Sequence, residues 1–289
     1  MPPQSVFGVA TQPTAHARAL RVDLLPPNVT NLLAFPGAEF ADKARVLPNG
    51  SVLVSTYSSS SLITLDVEPL GSVVRTLATD SWVGETHCNA SVCYAIQMPN
   101  YPEDGPLDLV RFDVATGHVE TVKSYGLNYT GYQPDVNTVD WQNGYFHAGL
   151  LADSPPFGYS LVTLSLATGS VLKSVPIGVD CFDCFGSPLL SSSLGLLGFS
   201  MTAPAYQACL VVSIDWATGD QTCLWGDALP YVSQVVIDAV ENNGYLTMSV
   251  RSSETSSALL VVDLELGEPT ALLYDVAFPS EVGALAVLA

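Results

Sequence analysis

The chain has 289 residues, 48% of them hydrophobic and only 13% charged, so core material is ample and a disordered chain is excluded. Nine Lys and Arg stand against 28 Asp and Glu, for a net charge of −19. That balance argues against a nucleic-acid partner and against an anionic bilayer, since both need a basic face. No apolar run approaches the roughly 20 residues that cross a bilayer, and the opening MPPQSVFGVATQ lacks the basic start and long apolar stretch of a leader, so neither a membrane span nor a signal peptide is expected in the residues given.

Taken in chain order, the elements follow one recurring phrase: an alternating apolar run, a polar turn residue, then a second alternating run. It reads RVDLLPPNVTNLL at Asp23, ITLDVEPLGSVVRTL at Asp66 and VRFDVATGHVETV at Asp113. It returns as VTLSLATGSVLKSV at Ser165, VSIDWATGDQTCLW at Asp215 and VVDLELGEPTALL at Asp263. The marks lie about 43 to 52 residues apart, and the step from Asp263 through the C-terminus to Asp23 is about 49, so the period closes on itself as a circular array does. Two further strand-like runs precede each outer hairpin. ADKARVLP and SVLVSTYS flank Asn49-Gly50, VNTVDWQ and YFHAGLLA flank Asn143-Gly144, and VVIDAVE and YLTMSV flank Asn243-Gly244. Asn-Gly between alternating runs is a strong short-hairpin signal. Around Gly195 the pair is SPLLSSS and GLLGFSM, and the repeat near Cys88 and Cys93 is the shortest and least regular.

Four antiparallel strands per repeat define a propeller blade. No 3.6-residue apolar period persists, which excludes a helical solenoid. The expected fold is all-β: a six-bladed β-propeller of four-stranded antiparallel blades, with residues 1–289 as a single domain. SEVGALAVLA at the C-terminus reads as a lone first strand, and SVFGVATQ, ALRVDLL and NVTNLL at the N-terminus read as a second, third and fourth. One blade is therefore expected to be a seam of one C-terminal and three N-terminal strands, which hides the edges of a split ring.

The six cysteines are expected to form local disulfides: Cys88 with Cys93 around CNASVC, Cys181 with Cys184 in CFDC, and Cys209 with Cys223 across a hairpin. Four Asn-x-Ser/Thr acceptors occur, at Asn28, Asn49, Asn89 and Asn128. Paired cysteines, these acceptors and few lysines point to an extracellular or cell-surface glycoprotein with N-linked glycans.

In a propeller the segments leading into the innermost strands gather at one channel mouth, the default ligand site. Here they supply Glu39, Asp42, Glu85, His87, Asp135, Asn137, Asp183, Gln234 and Glu281. Such an oxygen-rich ring suits a hard cation such as calcium, and the same residues suit solvated loops. His147, in YFHAGLL, is placed either facing the channel or as a hydrogen-bonded wall residue. Tyr57, Tyr101, Tyr129, Tyr132, Tyr159, Tyr206 and Tyr231 lie in connecting segments, where they stack on sugars or bury at protein interfaces or else, for most of them, fill space between blades; KSYGLNYTGYQP is the best surface candidate among them.

The lead-in glutamates, Asn-Gly turns and x-Asp-x-x-Thr-Gly hairpins resemble the six-bladed propellers of the gluconolactonase and senescence-marker-protein group and of strictosidine-synthase-like proteins. That resemblance implies one divalent metal on a Glu, an Asn and an Asp or Asn, which here are Glu39, Asn137 and Asp183 or Asp238. The family's Glu-Gly-Pro phrase is replaced by Gly37-Ala38-Glu39, and its Asn-Gly-Leu and Ser-Pro-Asp-Gly phrases are absent, so no catalytic residue is assigned. No GxSxG, HExxH, P-loop or dinucleotide motif occurs. The expected function is a non-catalytic structural or interaction module that binds protein or glycan partners and self-associates. The alternative is a calcium-dependent lactonase-like hydrolase.

Overall fold

Alternation of apolar and polar residues turns most of the described residues into strands. The computed structural model describes residues 4–12, 15–24, 27–34, 41–46, 50–56, 61–66, 72–78, 82–83, 86–89, 91–98, 106–126, 129–152, 158–176, 185–191, 195–200, 211–215, 218, 220–225, 235–242, 244–253, 256–264, 272–278 and 281–288. The N-terminal strands are β1 (Ser5–Gln12), β2 (Ala15–Leu24) and β3 (Pro27–Ala34), followed by β4 (Ala41–Val46), β5 (Val52–Thr56), β6 (Ser61–Asp66) and β7 (Ser72–Ala78). Next come β8 (Trp82–Val83), β9 (His87–Cys88), β10 (Val92–Met98), β11 (Asp108–Asp113) and β12 (Val119–Ser124), then β13 (Tyr129–Asp140), β14 (Tyr145–Ala152), β15 (Gly158–Ser165) and β16 (Val171–Pro176). The remainder are β17 (Phe185–Ser191), β18 (Gly195–Ser200), β19 (Val211–Ile214), β20 (Gln221–Trp225), β21 (Val235–Asn242), β22 (Tyr245–Ser253), β23 (Ser256–Asp263), β24 (Leu272–Phe278) and β25 (Glu281–Leu288).

These strands pair into antiparallel sheets in the orders β4-β5-β6-β7, β8-β10-β11-β12, β13-β14-β15-β16, β17-β18-β19-β20, β21-β22-β23-β24 and β25-β1-β2-β3, with β9 also on β10. The first strand of one sheet meets that of the next: β13 lies against β17, β17 against β21, β21 against β25 and β25 against β4, while β4 meets β9 and β10 meets β13. This is a β-propeller of four-stranded antiparallel sheets. The last sheet is the seam read from the sequence. Its register sets Ser5 opposite Leu288, Val6 opposite Val287 and Thr11 opposite Glu281.

The recurring phrase is a turn device. In Asp113-Val-Ala-Thr-Gly, Ser165-Leu-Ala-Thr-Gly and Asp215-Trp-Ala-Thr-Gly, the Thr hydroxyl accepts the backbone N–H two residues on. Those donors are His118 to Thr116 at 3.2 Å, Ser170 to Thr168 at 3.3 Å and Asp220 to Thr218 at 3.1 Å. Gly117 and Gly169 close their turns with φ of 73° and 66°, a conformation that a Cβ opposes. Asp113 adds a clamp, accepting from the Thr116 amide at 2.7 Å and its hydroxyl at 2.8 Å, which holds its carboxyl below the usual carboxylate range. After the marks at Asp113, Ser165 and Asp263 the next residue ties the outer hairpin to the inner one. Val114 donates to Ser91 O at 3.0 Å, Leu166 to Gly144 O at 2.9 Å and Leu264 to Gly244 O at 2.9 Å.

Two local features add detail to the sequence reading. Asn143-Gly144 is not a two-residue corner but the end of a four-residue turn over 141–144. Asp140 builds it, accepting from the Asn143 amide at 3.0 Å, while Gly144, at φ 72°, donates to Asp140 O at 2.9 Å. The irregular repeat has a broken innermost strand: β8 pairs the far end of β10 (Gln97 opposite Val83) and β9 the near end (Cys93 opposite Cys88).

Core side chains sit between neighbouring sheets. Tyr94, Ile96, Leu107 and Leu109 pack with Phe146, Leu150, Val162 and Leu164. Leu53 joins Cys93, Val110 and Phe112. Leu197 and Val211 join Leu246, Met248 and Val250, while Val6, Val22 and Leu285 of the seam join Leu259 and Val261. Among the described residues each sheet thus shares a core cluster with at least one neighbour.

Candidate functional site

Most innermost strands carry a register irregularity against the second strand of their sheet. It falls between Ala41 and Lys43 in β4, between Tyr132 and Asn137 in β13, between Gly186 and Leu189 in β17 and between Val236 and Asp238 in β21. Bulges of this kind re-aim side chains at the rims of closed β structures. Asp42, Asp135 and Asp238 fall at these slips, and Glu281 opens β25 opposite Thr11.

Past the slip in β13, Asn137 is fully buried, and its Oδ1 accepts from His87 Nε2 on β9. This pair is 50 residues apart in sequence and bridges two sheets. The His87 ring stands edge-on to Phe146, with centroids 6.1 Å apart. Cys88, next to His87, is bonded to Cys93 across the β9–β10 pair, which anchors the short strand that carries the histidine. In this arrangement the Asn137 carboxamide oxygen is engaged by His87 and buried between the two sheets. Glu39 and Asp183, its expected partners, lie outside the described residues, as do Glu85 and Gln234. Among the described residues no group of three or more His, Cys, Asp or Glu is arranged to hold a metal.

His147 is a wall residue. It sits on β14, the second strand of its sheet, with Thr138 and Thr163 as its cross-strand neighbours. Its Nδ1 lies 3.1 Å from Thr163 Oγ1. Burial pushes its pKa down to about 4, against a smaller upward pull from Asp140, so it is neutral at pH 7. The unfolded chain binds this proton near pH 6.5 and the folded chain only near 4, so the stabilisation is complete above 6.5 and is lost as pH falls through that window. The loss is about 2–3 kcal/mol by pH 4.5. Urea midpoints measured from pH 7 to 4.5 should therefore fall less in His147→Gln than in the natural chain. Parallel slopes would contradict the assignment.

The tyrosine-rich stretch is not a free surface at its start. Tyr125 is buried, and its hydroxyl donates to Gly169 O of the neighbouring sheet at 2.9 Å. Tyr129 is half-buried and edge-on to it, with centroids 6.0 Å apart, and burial raises the pKa of both. Tyr132 and Tyr159 lie in β13 and β15, and Tyr57, Tyr101, Tyr206 and Tyr231 lie outside the described residues.

Of the acceptor asparagines, Asn28 on β3 and Asn89 after β9 are exposed, while Asn49 and Asn128 lie outside the described residues. The Cys88–Cys93 disulfide is formed. Cys181, Cys184 and Cys209 lie outside the described residues, and Cys223 is in β20 opposite Val212. No helix among the described residues is long and apolar enough to cross a membrane.

No protein-family model matches this chain, and no curated protein matches it in sequence. Solved structures match the fold at full length. TolB from Acinetobacter baumannii is 13% identical with a TM-score of 0.65, covering 98% of this chain and 66% of that one. A chain of the nidogen/laminin complex is 11% identical with a TM-score of 0.64, covering 99% and 98%. A protein of unknown function from Bacteroides caccae is 12% identical with a TM-score of 0.62, covering 98% of both chains. At these identities the likeness is one of fold. The class is thus the β-propeller, and nothing in these matches singles out the gluconolactonase-like group.

Proposed function

We propose that residues 1–289 form one six-bladed propeller that serves as a secreted or cell-surface N-glycosylated interaction module. The observation that carries this reading is the joint placement of exposed Asn28 and Asn89 with a cross-strand disulfide at Cys88–Cys93, since disulfides persist in oxidising compartments. The six sheets and the contacts between their first strands support the blade number. The polar residues expected at a channel mouth support binding over catalysis, because His87, Asn137 and His147 are buried and spent on contacts between strands. The partner is a protein or glycan, including a second copy of the chain. The nidogen/laminin match is a propeller solved in a protein complex. Val171 and Leu172 on the outermost strand β16 are 44% and 53% exposed, as an apolar contact point requires.

Secretion from eukaryotic cells behind an added leader tests this reading. Glycosidase-sensitive mass at Asn28, and concentration-dependent association that Leu172→Glu abolishes, are the expected results. An unmodified, strictly monomeric product would contradict it. The calcium-dependent hydrolase is the second reading and rests on the carboxylates at the bulged innermost strands. Bound calcium after dialysis, with lactone turnover lost in Glu39→Gln, would favour it.

A further inference from the structure

The acceptor Asn89-Ala90-Ser91 lies inside the loop closed by Cys88 and Cys93. In the closed loop Asn89 Oδ1 accepts from the amides of Ser91 and Val92, both at 3.0 Å, and from the Ser91 hydroxyl at 3.5 Å. The Asn89 amide itself donates to Val92 O at 2.9 Å. An acceptor asparagine must reach the sugar donor through its carboxamide while the hydroxyl two residues on is recognised, and here the Asn89 carboxamide oxygen and the Ser91 hydroxyl are both held in the turn. The bridge makes the turn permanent. Five residue steps could reach about 17 Å when extended, but the Cys88 and Cys93 Cα atoms are held 4.0 Å apart.

Resting on the glycoprotein reading above, we infer that Asn89 is glycosylated only before the Cys88–Cys93 bridge closes, so that loop oxidation decides which of two forms the chain takes. In the first step Asn89 Nδ2 attacks the anomeric carbon of a lipid-linked oligosaccharide diphosphate. The new N–C bond replaces the C–O bond to the leaving diphosphate, and one amide proton is released. In the second step the two thiols lose two protons and two electrons to a disulfide-carrying oxidant, which is reduced to its dithiol. The order is not symmetrical. The side-chain bonds of the turn run through Oδ1, so a glycan on Nδ2 leaves them intact and the loop closes afterwards. A loop that closes first withdraws Asn89 from the transferase. Asn28, exposed on β3 with no cysteine in that strand, is not subject to this control.

The test is translation of the full chain, behind a secretory leader, into glycosylation-competent microsomes under dithiothreitol or under oxidised glutathione. Peptide mass mapping reads the occupancy of Asn89 and Asn28. Asn89 occupancy should be several-fold higher under dithiothreitol, with Asn28 unchanged. The Cys88→Ser/Cys93→Ser double variant should show the high occupancy in both conditions, whether or not it folds fully, because transfer is read before secretion. Equal occupancy of Asn89 in the two conditions, or none in either, overturns the inference. If Asn28 stays bare while Asn89 responds to the reductant, the inference stands and the wider glycoprotein reading loses its support.

Discussion

Deleting residues 281–289 should abolish the cooperative thermal transition of this protein. The segment is β25, the only hydrogen-bonded neighbour of β1 other than β2 among the described residues. It pairs β1 from Ser5 to Thr11, lies against β4 and β21, and buries Leu285 with Val6, Val22 and Leu259. Val6, Phe7 and Val9 are fully buried in the intact chain. Without β25, Leu285 is gone, β1 becomes a bare edge, and β4 and β21 lose the strand between them. Each large apolar side chain returned to water costs about 1.5–3 kcal/mol, so exposing several of them is comparable to a whole stability of about 5–15 kcal/mol. A calorimetric melt of the truncated chain checks this, with a broad low-temperature transition expected.

The second large effect is at Gly169. Its φ of 66° already disfavours a side chain. A Cβ there would also stand 2.1 Å from Lys123 Cβ, on the outermost strand of the neighbouring sheet. Gly144 is the natural control: its φ is 72°, and a Cβ there meets nothing within 4 Å. Backbone strain alone costs about 1–3 kcal/mol, so Gly144→Ala should lose that much and Gly169→Ala clearly more. Lys123→Gly should recover the excess in Gly169→Ala and leave the Gly144→Ala deficit untouched. Equal losses in the two alanine variants would mean that the sheets do not meet at this turn.

These positions also mark what could be read in the sequence. The Asp-x-Ala-Thr-Gly phrase was legible because its chemistry is local: the Thr hydroxyl, the glycine at positive φ and the carboxylate act within six residues of one another. The seam was legible because alternation continues to both ends of the chain. The Asn143-Gly144 hairpin was legible, but not the length of its turn, because Asp140, three residues upstream, captures Asn143 and lengthens it. The broken strand around His87 was hidden because β8 and β9 are two residues each, too short for a period to register. The His87–Asn137 contact had no local signal either. Spacing placed Asn137 at a channel mouth, and only the stacking of two sheets turns it toward a histidine 50 residues away. Tyr125 misled in the same way, since its ring fills the core between sheets and its hydroxyl finds the Gly169 carbonyl there.

The two ends of the chain form one sheet, β25-β1-β2-β3, and through it close the propeller. Hydrogen–deuterium exchange on the full-length protein tests it most directly. The amides of Val6–Ala10 in β1 and Val282–Val287 in β25 should be protected on the same timescale as Phe146–Leu150 in β14. Rapid exchange at both ends, with β14 still protected, would contradict it.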